Sequence, residues 1–365
     1  MSNNKQVHYN IDEIDKIGAR FNIIYGERSN GKSYQLKHKK MVEKYLNTGK
    51  RFILMRRWKE EITSEKIEQY FADVDISKLT KGKYNCITLY RKILYLSVYD
   101  IETGKTKRYE KIGYVVALST EQNYAGASYL DVDDIIFEEF MSRNIYLPNE
   151  SNKLMNFYAT VDRKRLTTRL WLVGNTISRA CPYIYEWGLH EIITMQKQGT
   201  IKTINIECNN EVIEKEIITI AIEYCKSTGK TSGTIGSNAN MINTGAWETQ
   251  PQPHLPKSYN LYKCLYRFGF QYQGFKFLSE YLIDIENKDV CWFIKPYNKE
   301  FSDKIIVFSD IIKTSIYWQR DIYNISIQNE KLRNLFNTFK ENIIFYSSDM
   351  CGTDFKQVID FQIRR

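Results

Sequence analysis

Residues 26–33 read Gly26-Glu27-Arg28-Ser29-Asn30-Gly31-Lys32-Ser33 and follow the pattern G-x-x-x-x-G-K-S. Each part of that pattern has a use in holding a triphosphate. The glycines let backbone amides turn inward around phosphate oxygens, and a following helix offers them its positive N-terminus. Lys32 is expected to reach the β and γ phosphates, and Ser33 to ligate magnesium. The apolar run at 21–25 and the helical pattern at 33–46 supply the strand before and the helix after that such a loop requires. A second G-K-T, Gly229-Lys230-Thr231, has Tyr224 where the first glycine belongs and reads as linker.

Residues 133–139, Asp-Asp-Ile-Ile-Phe-Glu-Glu, form an apolar run ending in two carboxylates. Glu138 is placed to hold the magnesium ion through water, and Glu139 to orient and deprotonate an attacking water. Strands of this kind usually end in Asp-Glu, so Glu138 is a departure whose longer side chain still has to reach the ion. A neighbouring catalytic glutamate suits hydrolysis, whereas a small-molecule kinase must keep water out. Asn287-Lys288-Asp289 has the wrong spacing for the N-K-x-D motif that reads guanine. Residues 169–175, Arg-Leu-Trp-Leu-Val-Gly-Asn, are a second buried strand ending in an amide, and Asn175 is the candidate sensor of the γ-phosphate. A turn asparagine after glycine explains Asn175 equally well at the local level. His190-Glu191 opens like a zinc-protease motif, but Thr194 stands where its second histidine belongs.

The elements around these residues alternate between strand and helix. Strand-like runs fall at 51–55, 115–118, 135–137 and 170–173; their short, continuous apolar character suits a mainly parallel sheet covered on both faces. Residues 59–71 read as helix, and 84–99 as antiparallel strands with a turn at 102–104. From 227 to 247 glycine, serine, threonine and asparagine dominate, and Pro251, Pro253 and Pro256 follow. Beyond lie strand-like runs at 276–277, 281–285, 290–294 and 305–308, and a helical pattern at 329–340. The expected organisation is an α/β nucleotide domain over 1–200, a linker or lid over 201–256, and a smaller α+β domain over 257–365.

The chain has 365 residues, 43% of them apolar and 26% charged, enough for two packed cores. Its net charge is +9, which suits a polyanionic partner. The charge is spread, with 16 basic and 13 acidic residues from 251 onward. The seven cysteines include no C-x-x-C pair, so neither disulfide framework nor zinc knuckle is expected. The opening residues 1–6 are polar and no apolar run is long enough to span a bilayer. The expectation is a soluble cytosolic protein with no membrane partner.

Taken together, the arginine-bearing loop at 26–33, the strand at 51–57 ending in Arg56-Arg57, the stretch from Leu118-Ser119 through Gly126-Ala127-Ser128 to Phe140, and Leu172-Val173-Gly174-Asn175-Thr176 resemble phage terminase large subunits and DNA-packaging ATPases. At this length the chain is more similar to the compact packaging ATPases of small short-tailed phages of the Salas type. The resemblance covers roughly residues 15–190 and implies a P-loop fold of the additional-strand catalytic glutamate type, with ATP and Mg2+ as cofactors. It also implies a homomeric ring, a pentamer, at the portal of an empty capsid in the host cytoplasm, driving double-stranded DNA inward and docked on a structural RNA. The C-terminal domain would resemble a ribonuclease-H-like nuclease that has lost its acids. In the sequence Asp284, Glu286, Asp310, Asp349, Asp354 and Asp360 are scattered there, and no strand carries an acid in a metal-holding pattern. A non-cleaving, nucleic-acid-binding domain is the preferred reading. The aromatics Tyr259, Tyr262, Tyr266, Phe268, Phe270 and Tyr272 are read as core, with base stacking as the alternative.

Ring motors of this kind use an arginine from the neighbouring copy to stabilise γ-phosphate charge, worth about 10³ to 10⁵ in rate. Arg163, Arg165 and Arg143 are the candidates. Arg56, Arg57, Lys105 and Lys107 are candidates to face DNA phosphates. The rival functions are a terminase with an active C-terminal nuclease, and a nucleotide-gated nucleic-acid-binding protein with little turnover.

Overall fold

The computed structural model describes residues 9–363 apart from 144–145, 211–212, 231–232, 237–238, 303, 312–317, 320–336, 340 and 342. The chain forms two units: residues 1–177, 196–235 and 239–247, and residues 178–195, 236–238 and 248–365.

Among the described residues the first unit has nine strands in one sheet: β1 (Phe21–Gly26), β2 (Arg51–Arg56), β3 (Cys86–Tyr90), β4 (Ile93–Asp100), β5 (Lys105–Ala117), β6 (Val132–Glu138), β7 (Arg169–Asn175), β8 (Thr200–Asn210) and β9 (Ile213–Tyr224). The order is β3-β4-β5-β2-β6-β7-β1-β9-β8. The strands from β5 to β9 in that order are mutually parallel, and β3, β4 and β8 add antiparallel margins. β1 is buried throughout and β6 nearly so, which is why their sequences are continuous apolar runs without alternation. β7 lies between β1 and β6, the additional strand that the sequence pattern anticipated.

The antiparallel strands expected over 84–99 are β3 and β4, joined where Arg91 and Lys92 turn the chain with φ of 48° and 64°. Positive φ at both central residues is the type I′ hairpin geometry, here without the Asn-Gly signal that would have revealed it. The apolar run at 115–118 is no separate element but the buried end of β5, whose polar first half pairs with β4. The helix expected over 59–71 is a short 3-10 turn at Lys59–Glu61 and then Ser64–Phe71, started by the Thr63 hydroxyl accepting from the Lys66 N–H.

The linker expectation for 201–256 fails over its first half. β8 and β9 occupy 200–224, and β9 pairs in parallel with β1 itself. β8 alternates isoleucine with polar residues as a marginal strand does, so its composition resembles a loop. Among the described residues, 225–256 are irregular apart from a short helix, Ala239–Thr244.

Among the described residues the second unit has six strands: β10 (Tyr262–Tyr272), β11 (Phe275–Asp284), β12 (Val290–Pro296), β13 (Ile306–Ser309), β14 (Trp318–Gln319) and β15 (Ile344–Tyr346), ordered β14-β13-β10-β11-β12-β15. β10, β11 and β12 are antiparallel in sequence; β13 runs parallel to β10, and β14 to β13. The runs at 276–277 and 281–285 are one strand, and β10 was not anticipated. Phe268, Phe270, Trp292, Phe308 and Phe355 form its core, with Phe268 stacked on Trp292 at 5.3 Å. The aromatics at 259–272 are thus divided: Phe268, Phe270 and Tyr272 are core, and Tyr259, just before β10, and Tyr266 are exposed. The helix Asp349–Ile363 packs on β12 and β15. The helical pattern at 329–340 lies for the most part outside the described residues.

Candidate active site

β1 delivers the chain into the glycine loop, and the loop into a helix running through Lys32–Gln35, Leu36–Glu43 and Lys44–Thr48. Its middle section is π-helical, which brings Leu36 and Met41, five residues apart, onto one buried side. Gly31 has φ 101°, a conformation that a side chain would strain, and it begins the helix. At Gly26 a Cβ would stand 3.0 Å from the Cβ of Cys225, so only glycine lets β1 end against β9.

Lys32 is buried, and its ammonium donates to the Glu27 carbonyl at 2.5 Å, Asn30 Oδ1 at 3.1 Å and Asn175 Oδ1 at 3.5 Å. Burial lowers its pKa, opposed by the charges of Glu138 and Glu27 among others. Three protein oxygens therefore hold the ammonium where phosphate oxygens are its natural partners. Asn175 reaches it because β7 lies beside β1 in register, Asn175 opposite Gly26.

The acidic edge of β6 meets this loop. Ser33 Oγ donates to Glu138 Oε2 at 2.9 Å, and the Tyr70 hydroxyl donates to Glu138 Oε1 at 2.7 Å. Burial raises the Glu138 pKa, against the pull of those two donors. A hydroxyl and a buried carboxylate converging at the loop fit a magnesium ion that keeps most of its waters. The ion would supply neutralisation of the phosphate charge that develops during transfer.

Glu139 faces solvent, its side chain 61% exposed, and has φ 58°. Such backbone strain at a bulky residue needs support from its surroundings. Arg57 provides it: its guanidinium donates to the carbonyls of Glu139 and Phe140 while paired with the buried Glu150 at 2.9 Å. Arg56 holds the Glu139 carboxylate at 3.0 Å and also Glu61 at 3.0 Å. Neither arginine is therefore available to DNA as the sequence suggested; Arg57 is only 6% exposed. Lys105 and Lys107, on the open half of β5, are exposed.

The remaining site residues divide similarly. Arg28, Ser29, Asn30, Gly31, Lys32, Ser33, Glu138, Glu139 and Asn175 line one cavity of about 770 Å³. Glu27 is in the loop, but its carboxylate turns away and accepts from the Ser227 hydroxyl at 2.6 Å and the Thr228 N–H at 2.9 Å. Its side chain is thus removed from the nucleotide-binding set. Arg165 is spent on carbonyls of its own chain, those of Leu130, Val132 and Val161 among them, which argues against a role across an interface. Arg163 and Arg143 are exposed, and Arg163 donates to the Ala127 carbonyl at 2.8 Å. Among the described residues no group of three or more His, Cys, Asp or Glu is arranged to hold a metal.

Sequence reasoning missed Tyr70, Tyr9 and the pairing of Arg57 with Glu150. Tyr9 lines the cavity, and its hydroxyl donates to Glu223 at 2.8 Å. Nothing in the local sequence distinguishes these from ordinary helix and surface residues.

With that geometry in hand, similarity to known proteins is informative. The model of the podovirus DNA encapsidation protein (Gp16) family matches residues 3–212. The chain is 31% identical over 176 residues to a DNA packaging protein of Bacillus phage B103, covering 46% of this chain and 48% of that protein. It is 28% identical over 193 residues to a DNA packaging protein of Bacillus phage phi29, covering 51% of each. The chain thus spans about half the length of the curated relatives it matches. A chain of the bacteriophage Phi-29 viral genome packaging motor assembly shares the fold, with a TM-score of 0.59, 20% identity, and coverage of 98% of this chain and 99% of that one.

Proposed function

Because the chain belongs to the podovirus DNA encapsidation protein family, we propose that it hydrolyses ATP to drive double-stranded DNA into a preformed capsid. The observation that carries this reading is the convergence of Lys32, Ser33, Glu138 and Glu139 on a single cavity, which makes a water-using triphosphatase. Lys32 exchanges its protein oxygens for phosphate oxygens. Ser33 and Glu138 hold Mg2+. Glu139, released from Arg56, takes the proton of the attacking water. Asn175, already touching Lys32, reads the γ-phosphate. Arg28 lines the phosphate side of the cavity.

The motor works as a homomeric ring, a pentamer, at the portal vertex in the host cytoplasm, with a structural RNA as a further partner. Among the described residues no helix is long and apolar enough to cross a membrane. Arg163 is the best candidate to act on the neighbouring copy's γ-phosphate, since it is exposed and Arg165 is not free to move. The second unit is read as a ribonuclease-H-like domain. Three antiparallel strands, β10 to β12, with β13 and β14 added in parallel on the β10 side support that reading. It is read as non-cleaving because β10 carries no acid, and Asp354 is buried against Arg179.

The decisive experiment is Glu139→Gln. Phosphate release should fall by about 10² to 10⁴ while ATP binding is kept. Unchanged turnover would end the motor reading and leave the nucleotide-gated binding protein.

A further inference from the structure

We infer that Tyr70 is a positioning residue for the magnesium-holding carboxylate, and that it is what lets a glutamate stand where such strands usually carry aspartate. The inference rests on the reading of Ser33 and Glu138 as holders of Mg2+. Glu138 has one more rotatable bond than aspartate, so its carboxylate has to be fixed by something beyond its own short stem. Two donors fix it, one to each oxygen: Ser33 at 2.9 Å and Tyr70 at 2.7 Å. Ser33 is itself a magnesium ligand in this reading, so Tyr70 is the donor whose only task is orientation.

Tyr70 is in turn held from two sides. Lys37, one helical turn beyond Ser33, donates to the Tyr70 carbonyl at 2.6 Å and lies 4.6 Å from its ring centre. The same lysine pairs with Asp73, and Phe71 meets the ring edge-on at 5.0 Å. An outer hydrogen-bond partner of this kind orients a metal-holding carboxylate, and its loss characteristically costs about 10- to 100-fold in metal affinity. Aspartate at 138 would withdraw the carboxylate by one methylene and leave the phenol behind.

The test is a titration of the full chain with methylanthraniloyl-ADP, in magnesium chloride and in EDTA. Tyr70→Phe should lose about tenfold in affinity with magnesium and nothing in EDTA. In a Glu138→Asp background the same change should alter neither value. Equal loss in both buffers would make Tyr70 merely structural, and unchanged affinity in both would remove its role. If the parent itself shows no magnesium dependence, the site reading fails along with the inference. Should Tyr70→Phe unfold, 3-fluorotyrosine at position 70 keeps the hydrogen bond. Its ¹⁹F resonance should move when magnesium joins the ADP-bound protein, and a fixed resonance would overturn the proposal.

Discussion

At the edge of the first sheet Glu138 and Glu139 line a cavity of about 770 Å³, next to an ammonium and a hydroxyl. In the second unit Asp310 and Asp354 also follow or face a sheet, but each has a structural partner. Asp354 is buried with Arg179, and burial pushes its carboxyl up to about 6 against that arginine's pull. Asp310 accepts the Gln273 N–H at 2.9 Å and so fixes the turn between β10 and β11. The two regions teach that a carboxylate at a strand end is open to a ligand only where its neighbours leave it a cavity. At the first edge Lys32 lines that cavity with the two glutamates, and Arg56 pairs with the exposed Glu139. In the second unit Arg179 stands as a permanent counter-charge.

The largest effects should come from the first edge. Lys32→Ala should abolish measurable ATP turnover, because the loop then has no ammonium to face the triphosphate. Full turnover in that variant would break the comparison outright. Arg163→Ala should reduce turnover by about 10³ without weakening nucleotide binding. Mixing it with Glu139→Gln subunits should restore some activity if the arginine acts on a neighbour.

The second unit should respond differently, in stability and not in chemistry. Supercoiled plasmid with manganese should remain supercoiled in the presence of the parent protein, and nicking would show that its acids are free after all. Arg179→Met leaves Asp354 buried without its partner and should cost about 3–5 kcal/mol, read as a lower denaturation midpoint.

A smaller effect sharpens the same contrast inside the first unit. Glu223 lies beside the site on β9, yet burial lifts it from an ordinary 4.5 to about 7. The folded state therefore binds a proton that the unfolded chain releases. Stability should fall as pH rises from about 4.5 to about 7, by at most about 3 kcal/mol. Glu223→Gln should flatten that part of the pH–stability curve.

Much of the first unit was legible in the sequence because its informative residues are neighbours along the chain. The loop at 26–33, the acids at 138–139 and the amide at 175 each close a short apolar strand, and burial on both faces makes such strands easy to see. β8 was harder, since a marginal strand that alternates isoleucine with polar residues resembles a loop, and the turn between β3 and β4 at Arg91-Lys92 lacks a glycine. In the second unit β10 went unread because its first half, Tyr262–Arg267, is polar and partly exposed.

What the sequence determined by itself was the kind of chemistry: a lysine-bearing phosphate loop and a twin-glutamate strand are local patterns whose geometry follows from a few consecutive residues. Tertiary structure alone decided which partners restrain that chemistry. Tyr70 meets Glu138 across 68 residues, Arg57 meets Glu150 across 93, and Arg179 meets Asp354 across 175. Such pairings depend on how strands are ordered in the sheet and where helices pack, and no local spacing encodes them. The same carboxylate type therefore lines an open cavity at one site and is a structural counter-charge at another, according to what folding brings beside it.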